Sequence, residues 1–237
     1  MICKTYIKIK AFFGICFVFF LLISENGCCV SNKIIYLNKQ QTLAYYQMMK
    51  DINELFEKFE ITFWPIAGTL LGAVRNGGLI PWDIDMDIGI FEYDAYKLKE
   101  VEPYLNKLQY SLKQKGNRPV WLVSADGIHM DIVAFSKVDN RIFYTCPYLQ
   151  KILPKREGMP LYIDTNEFFP LKKYPFGSLQ VPGPSNPLPY LFTAYGKNCL
   201  THGAPHSYPP STEHEFLLND TKPAEPFGPL LDRVVNL

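Results

Sequence analysis

Three aspartates alternate with apolar residues in the run Asp83, Ile84, Asp85, Met86, Asp87, Ile88. In a strand, period-two spacing sets the three carboxylates on one face and turns Ile84, Met86 and Ile88 toward a core. Like charges held this close repel, and a divalent cation neutralises such a set. Oxygen-only donors favour Mg2+ or Mn2+, and Mg2+ commonly takes one or two carboxylates together with substrate phosphates. Upstream, Gly68 and Thr69 stand where a strand gives way to a helix, offering backbone N–H groups and a hydroxyl to an anion. Arg75 is a candidate for a bidentate phosphate contact, and Trp82 borders the same stretch. Downstream, Asp131 sits among apolar residues between His129 and Phe135, where a carboxylate needs a partner. It can complete a metal site with the first cluster or accept the proton of an attacking hydroxyl. Asp85, Asp87 and Asp131 are thus the candidate catalytic residues. Asp83, Asp85, Asp87 and Asp131 are the candidate metal ligands, and Gly68, Thr69, Arg75 and Trp82 the candidate phosphate or substrate contacts.

Blander explanations exist for each piece. An alternating acidic run also fits a solvated edge strand. A calcium loop does not fit, because the EF-hand spacing of acidic residues and glycine is absent. Trp82 taken alone suits a core, and His129 suits a surface strand. Joined in one stretch, the features are more specific than any of them singly.

These residues need elements to hold them. Leu43, Tyr46, Met49, Ile52, Leu55, Phe56 and Phe59 recur at three- and four-residue steps, which predicts an amphipathic helix over 41–60. The β-branched and aromatic run 61–67 predicts a strand ending at Gly68. Thr69 is placed to cap a short helix to Arg75, and Asn76-Gly77-Gly78 forces a turn. A second strand is predicted over 86–91 and a second helix over 93–112. Residues 120–124 and 129–135 alternate around Ala125-Asp126-Gly127, a hairpin pattern. Beyond residue 148 prolines crowd the chain, predicting loops and an irregular covering layer, with partial disorder from about residue 205. The fold class expected is therefore α+β.

The 237-residue chain has room for one ordinary domain plus an N-terminal extension. Net charge is +1 and no stripe of Lys and Arg forms, which argues against nucleic acid as a partner. Lys4, Lys8 and Lys10 precede an uncharged apolar run of 13 residues, 11–23. That run suits a signal peptide or a signal anchor over 1–30 and is short for an ordinary membrane span. The expected organisation is a short stem over 31–40, a catalytic domain over 41–200 and a proline-rich tail over 201–237. Membrane attachment would run through the N-terminal segment. The location expected is the ER or Golgi lumen, as a single-pass type II protein, or outside the cell if the leader is cleaved. Cys28, Cys29, Cys146 and Cys199 lie beyond the apolar run, and Cys146–Cys199 is the preferred disulfide pair. Asn219 begins a glycosylation sequon.

Taken together, residues 68–75, 80–89, 129–132 and 191–196 resemble the signature of LicD-type proteins, the group that includes fukutin and fukutin-related protein. The resemblance implies a nucleotidyltransferase-like fold with a small mixed sheet flanked by helices. It implies phosphate binding at Gly68-Thr69, metal binding by an Asp-x-Asp pair (Asp83/Asp85 or Asp85/Asp87) and a third carboxylate at Asp131. It further implies a CDP-linked donor carrying phosphocholine or ribitol phosphate, a glycan or glycoprotein acceptor, and Mg2+ (or Mn2+) as cofactor. The sequence leaves two alternatives open: a metal-dependent glycosyltransferase, and an inactive membrane-anchored binding protein of the same fold.

Overall fold

The computed structural model describes residues 34–147, 150, 162–204, 216–225, 228–235 and 237. The leader expected over 1–30 lies outside them. Among the described residues no helix is long and apolar enough to cross a membrane.

Helix α1 (Lys39–Lys58) begins two residues earlier than its apolar stripe suggests. Asn38 Oδ1 accepts the Gln41 N–H at 2.9 Å and Gln41 Oε1 accepts the Asn38 N–H at 3.1 Å. This reciprocal cap contributes about 1 kcal/mol and shortens the expected stem. Strand β1 (Phe63–Pro65) leads into α2 (Ala67–Leu71), which continues as a π-helical turn, Gly72–Asn76. Gly77, with φ 71°, ends that turn in the left-handed region that glycine tolerates. Strand β2 (Met86–Phe91) matches the expected boundaries. The single helix expected over 93–112 is instead a 3-10 turn, Glu92–Lys97, then α3 (Leu98–Lys107) and a strand, β3 (Ser111–Gln114). Strands β4 (Val120–Ala125) and β5 (Ile128–Val138) form the expected hairpin, with Asp126 at φ 41° and Gly127 at φ 81°.

The sheet runs β1-β2-β5-β4-β3. Among the described residues only β2 and β5 pair in parallel; the other pairings are antiparallel. Strands β6 (Arg141–Tyr144) and β7 (Tyr162–Asp164) extend it from β5. This is the α+β class with a mixed sheet flanked by helices. One core holds α1 and α3 against Met86, Ile88, Ile90, Met130 and Ile132. A second core lies on the opposite side of the alternation, with Trp64, Phe91, Val133 and Phe135 joined by Tyr144, Phe168 and Leu191.

The region beyond residue 148 is more regular than its prolines suggest. It contains a helical turn α4 (Thr165–Phe168), a hairpin of β8 (Lys172–Phe176) and β9 (Leu179–Gly183), and helix α5 (Leu188–Tyr195). A small ladder pairs β10 (His202–Gly203) with β11 (Phe216–Leu217). Part of the segment expected to be disordered packs on the core instead. The Ala224 N–H donates to Leu79 O at 2.8 Å, and Ala224 and Val234 are buried.

Candidate functional site

Parallel register sets Asp87 directly beside Asp131, as Met86 pairs with Met130 and Ile88 with Ile132. Both aspartates therefore point to the same side of the sheet, away from α1 and α3. The three-aspartate run is not all strand: β2 begins only at Met86, so Asp83 and Asp85 occupy the loop before it. Ile84, expected in the core, is 46% exposed, and its carbonyl accepts the Tyr45 hydroxyl from α1. The alternation thus extends one aspartate into the strand, and the other two are carried by a loop anchored to α1.

Electrostatics tie the four carboxylates together. The Asp87 carboxyl is pushed well above the usual carboxylate range, first by burial and then by Asp85, Asp131 and Asp83, with Lys115 opposing. Asp131 is held by Lys115, whose Nζ lies 2.7 and 2.6 Å from its two oxygens. Among the described residues, no three His, Cys, Asp or Glu side chains form a ready cage for a metal. The candidate metal ligands are nonetheless drawn together, since Asp85, Asp131 and Asp83 all act on the Asp87 carboxyl. What the fold provides is a strand-to-strand pair with two loop carboxylates close enough to help hold the Asp87 carboxyl above its usual range. That donor set fits a hard divalent cation taking one or two carboxylates and completing its shell with substrate oxygens.

The expected anion contacts lie beside this pair. Thr69 does not cap α2; Ile66 occupies the cap position without a side-chain bond. The Thr69 hydroxyl instead accepts the Asp87 N–H at 2.8 Å, and the Ile66 N–H donates to Asp87 O at 3.0 Å. The start of α2 and the start of β2 are thereby stitched together. A methyl group on Gly68 would stand 2.2 Å from Asp83 Oδ2, so a glycine is required for that carboxylate to lie over the helix start. Ala67 adopts φ 48°, a left-handed conformation uncommon for a residue with a side chain. Its N–H is held by the Tyr190 hydroxyl at 3.1 Å, which in turn lies 3.3 Å from the Tyr144 hydroxyl.

Other expected contacts are placed differently. Arg75, proposed from sequence to reach a phosphate, donates through Nη1 to the Cys199 and His202 carbonyls, both at 3.0 Å, and through Nε to Asn76. Burial lowers its pKa, with Asp83 among the groups opposing that. Through these bonds it fastens the segment after α5. Trp82 is buried, donates its indole N–H to Ala204 O at 2.8 Å and packs on Phe216. It is a core residue. Cys146 and Cys199 form no disulfide; both are buried thiols within the second core. Asn219 is exposed. His129 follows Ile128 in β5 and is partly buried.

Sequence reasoning missed four contributors. Lys115 looks like any exposed charge beside a turn, and nothing local marks it. Tyr45 stands next to the helix stripe that includes Tyr46, and its pKa is pushed up by burial and then, in part, by Asp85 and Asp83. Tyr190 and Tyr195, both within the apolar octet of α5, converge on the same carboxylates. The Tyr195 hydroxyl is pushed up by burial, Tyr190, Asp83, Asp87 and Asp85. A signal did exist for Tyr195, because the resemblance covers residues 191–196.

A mixed sheet with paired aspartates on adjacent parallel strands, and a glycine at the start of the helix between β1 and β2, describes a nucleotidyltransferase-type domain. Residues 60–186 match the family described as LicD/FKTN/FKRP, nucleotidyltransferase domain, and the chain belongs to that family. An uncharacterised protein of Rickettsia prowazekii (strain Madrid E) is 34% identical over 209 residues, covering 84% of this chain and 75% of that protein. Shorter matches join the chain to two proteins of stated activity. The ribitol 5-phosphate transferase FKRP of Homo sapiens is 45% identical over 41 residues, which span 17% of this chain and 8% of FKRP. The lipopolysaccharide cholinephosphotransferase LicD of Haemophilus influenzae is 36% identical over 50 residues, 21% of this chain and 19% of LicD. Among solved structures, the lincosamide antibiotic adenylyltransferase LnuA aligns with a TM-score of 0.39 at 17% identity, over 64% of this chain and 82% of that one.

Proposed function

We propose that this chain transfers a phosphorylated alcohol, of the phosphocholine or ribitol-phosphate kind, from a CDP-linked donor to a glycan hydroxyl in the secretory pathway. The observation that carries this is the register pair Asp87–Asp131, flanked by Asp83 and Asp85 and set beside the Gly68-Thr69 helix start. The names of the related FKRP and LicD enzymes supply the class of transferred group. Mg2+ or Mn2+, held by Asp87 and Asp131 with Asp85 or Asp83, would supply charge neutralisation for the donor's diphosphate.

The chain's own groups do the rest. The Thr69 hydroxyl, having accepted the Asp87 N–H, keeps its hydrogen for a phosphate oxygen. The Gly68 and Thr69 N–H groups face the same anion. An acceptor hydroxyl attacks the phosphorus, forming a new P–O bond as the P–O bond to CMP breaks, and its proton passes to a carboxylate of the cluster. Tyr190, Tyr144 and Tyr195 lie near enough to Asp87 to feel its charge and would border the bound donor. The N-terminal apolar run would deliver the domain to the lumen.

Incubation of the purified chain with a panel of CDP-alcohols and glycan acceptors, with and without Mg2+, tests this. CMP release that needs metal, donor and acceptor together is the expected result. Turnover of nucleotide sugars instead would favour a glycosyltransferase. No turnover of any nucleotide would favour a binding protein.

A further inference from the structure

Lys115 faces the carboxylate cluster from the β3–β4 connection. Its own N–H donates to Val120 O at 2.8 Å, and Gly116 follows with φ 61°, so the backbone beneath the side chain is fixed by the hairpin. The ammonium lies 2.7 and 2.6 Å from the two oxygens of Asp131, and both side chains are mostly shielded, at 16% and 19% exposure. Asp131 is the register neighbour of Asp87. A cation spanning both oxygens of Asp131 takes the charge position that a divalent ion bound there would need.

A divalent ion and an ammonium cannot both engage one carboxylate at full strength, since like charges a few ångströms apart repel. Lysine is a compact point charge on a flexible four-carbon stem, so it can leave Asp131 without moving the hairpin. The incoming donor brings phosphate oxygens to the same place.

We propose that Lys115 is a resident counter-ion that orients Asp131 and then moves to a donor phosphate oxygen when metal and nucleotide bind, an inference that rests on the metal-dependent transfer proposed above. It makes Lys115 a substrate-binding residue whose loss acts in opposite directions on the two ligands.

Calorimetric titration of the full chain with Mn2+, and then with CDP at saturating Mn2+, separates these effects. Lys115→Met keeps the stem and removes the charge; Lys115→Gln is a second variant should the first fold poorly. The metal should bind the variants about fivefold more tightly at low ionic strength, because a competing charge is gone. CDP should bind about tenfold more weakly, and Lys115→Arg should recover part of that loss. A lysine that merely braced the hairpin would lower the melting temperature without strengthening Mn2+ binding. Mn2+ affinity that is unchanged or weaker, or CDP affinity that is unchanged, overturns the role given to Lys115 while leaving the transfer reaction standing. Failure of the wild-type chain to take up Mn2+ overturns both.

Discussion

At the scale of single residues, Asp87 is the most informative side chain. Its carboxyl titrates well above the usual range because burial and three neighbouring aspartates disfavour its charge. Between its unfolded pKa of about 4 and the raised folded value, the native state keeps a proton that the unfolded chain has released. Stability therefore falls as pH rises through that window, and above it the cost is fully present. In chelator, Asp87→Asn should melt at a higher temperature than wild type at pH 8, with the difference shrinking toward pH 4. An unchanged melting curve at pH 8 would contradict the crowding of these carboxylates. The same substitution should abolish turnover, so stability and activity move oppositely. Gly68 offers a second test. The atom that a Gly68→Ala methyl would meet is the tip of the Asp83 side chain, which can swing aside. That variant should fold with little change in melting temperature yet lose most CMP-releasing activity.

At the scale of elements, the position that looks similar behaves differently. A methyl on Gly89 would lie 2.6 to 2.8 Å from the indole of Trp64, a fully buried ring wedged against Phe91, Phe135 and Phe168. The ring has nowhere to go, so Gly89→Ala should cost about 1–3 kcal/mol in denaturant unfolding. Strand β2 and the β4–β5 hairpin were legible because apolar alternation and Asp126-Gly127 are local signals. Helix α1 was legible from its stripe, though its start needed the Asn38–Gln41 cap. The start of the acidic run was misjudged, since alternation alone does not reveal that Asp83 and Asp85 precede the strand. Which strand neighbours β2, and hence the Asp87–Asp131 pairing, is a matter of long-range register that no local pattern carries. The contacts that hold Arg75 and Trp82 were not legible for the same reason: their partners, Cys199, His202 and Ala204, are more than 120 residues away in sequence.

At the scale of the molecule, the C-terminal segment is part of the domain. Buried Asp51 on α1 accepts the Tyr110 hydroxyl at 2.7 Å and the Gln47 side-chain amide at 2.9 Å, with Arg233 Nε at 3.6 Å. Gln47 also exchanges two hydrogen bonds with the Leu231 backbone, and Tyr46 donates to Ala224 O. Proline content predicted a loose tail because composition reports local stiffness and not these distant partners. Truncation before Thr221 should therefore uncover Tyr46 and Leu79 and lower the melting temperature well below that of the full chain. Tyr110→Phe, which strips one donor from a buried carboxylate, should cost about 1–3 kcal/mol. A truncated chain as stable as the full one would show that this segment is only draped on the surface.

The most direct measurement is calorimetric titration with CDP in the presence and absence of Mn2+, on the wild-type chain, Asp87→Asn and Asp131→Asn. Binding confined to the wild type with Mn2+ present is expected if the paired strand carboxylates hold the ion that receives the diphosphate. Metal-independent CDP binding, or binding by both variants as strong as that of the wild type, would contradict that arrangement.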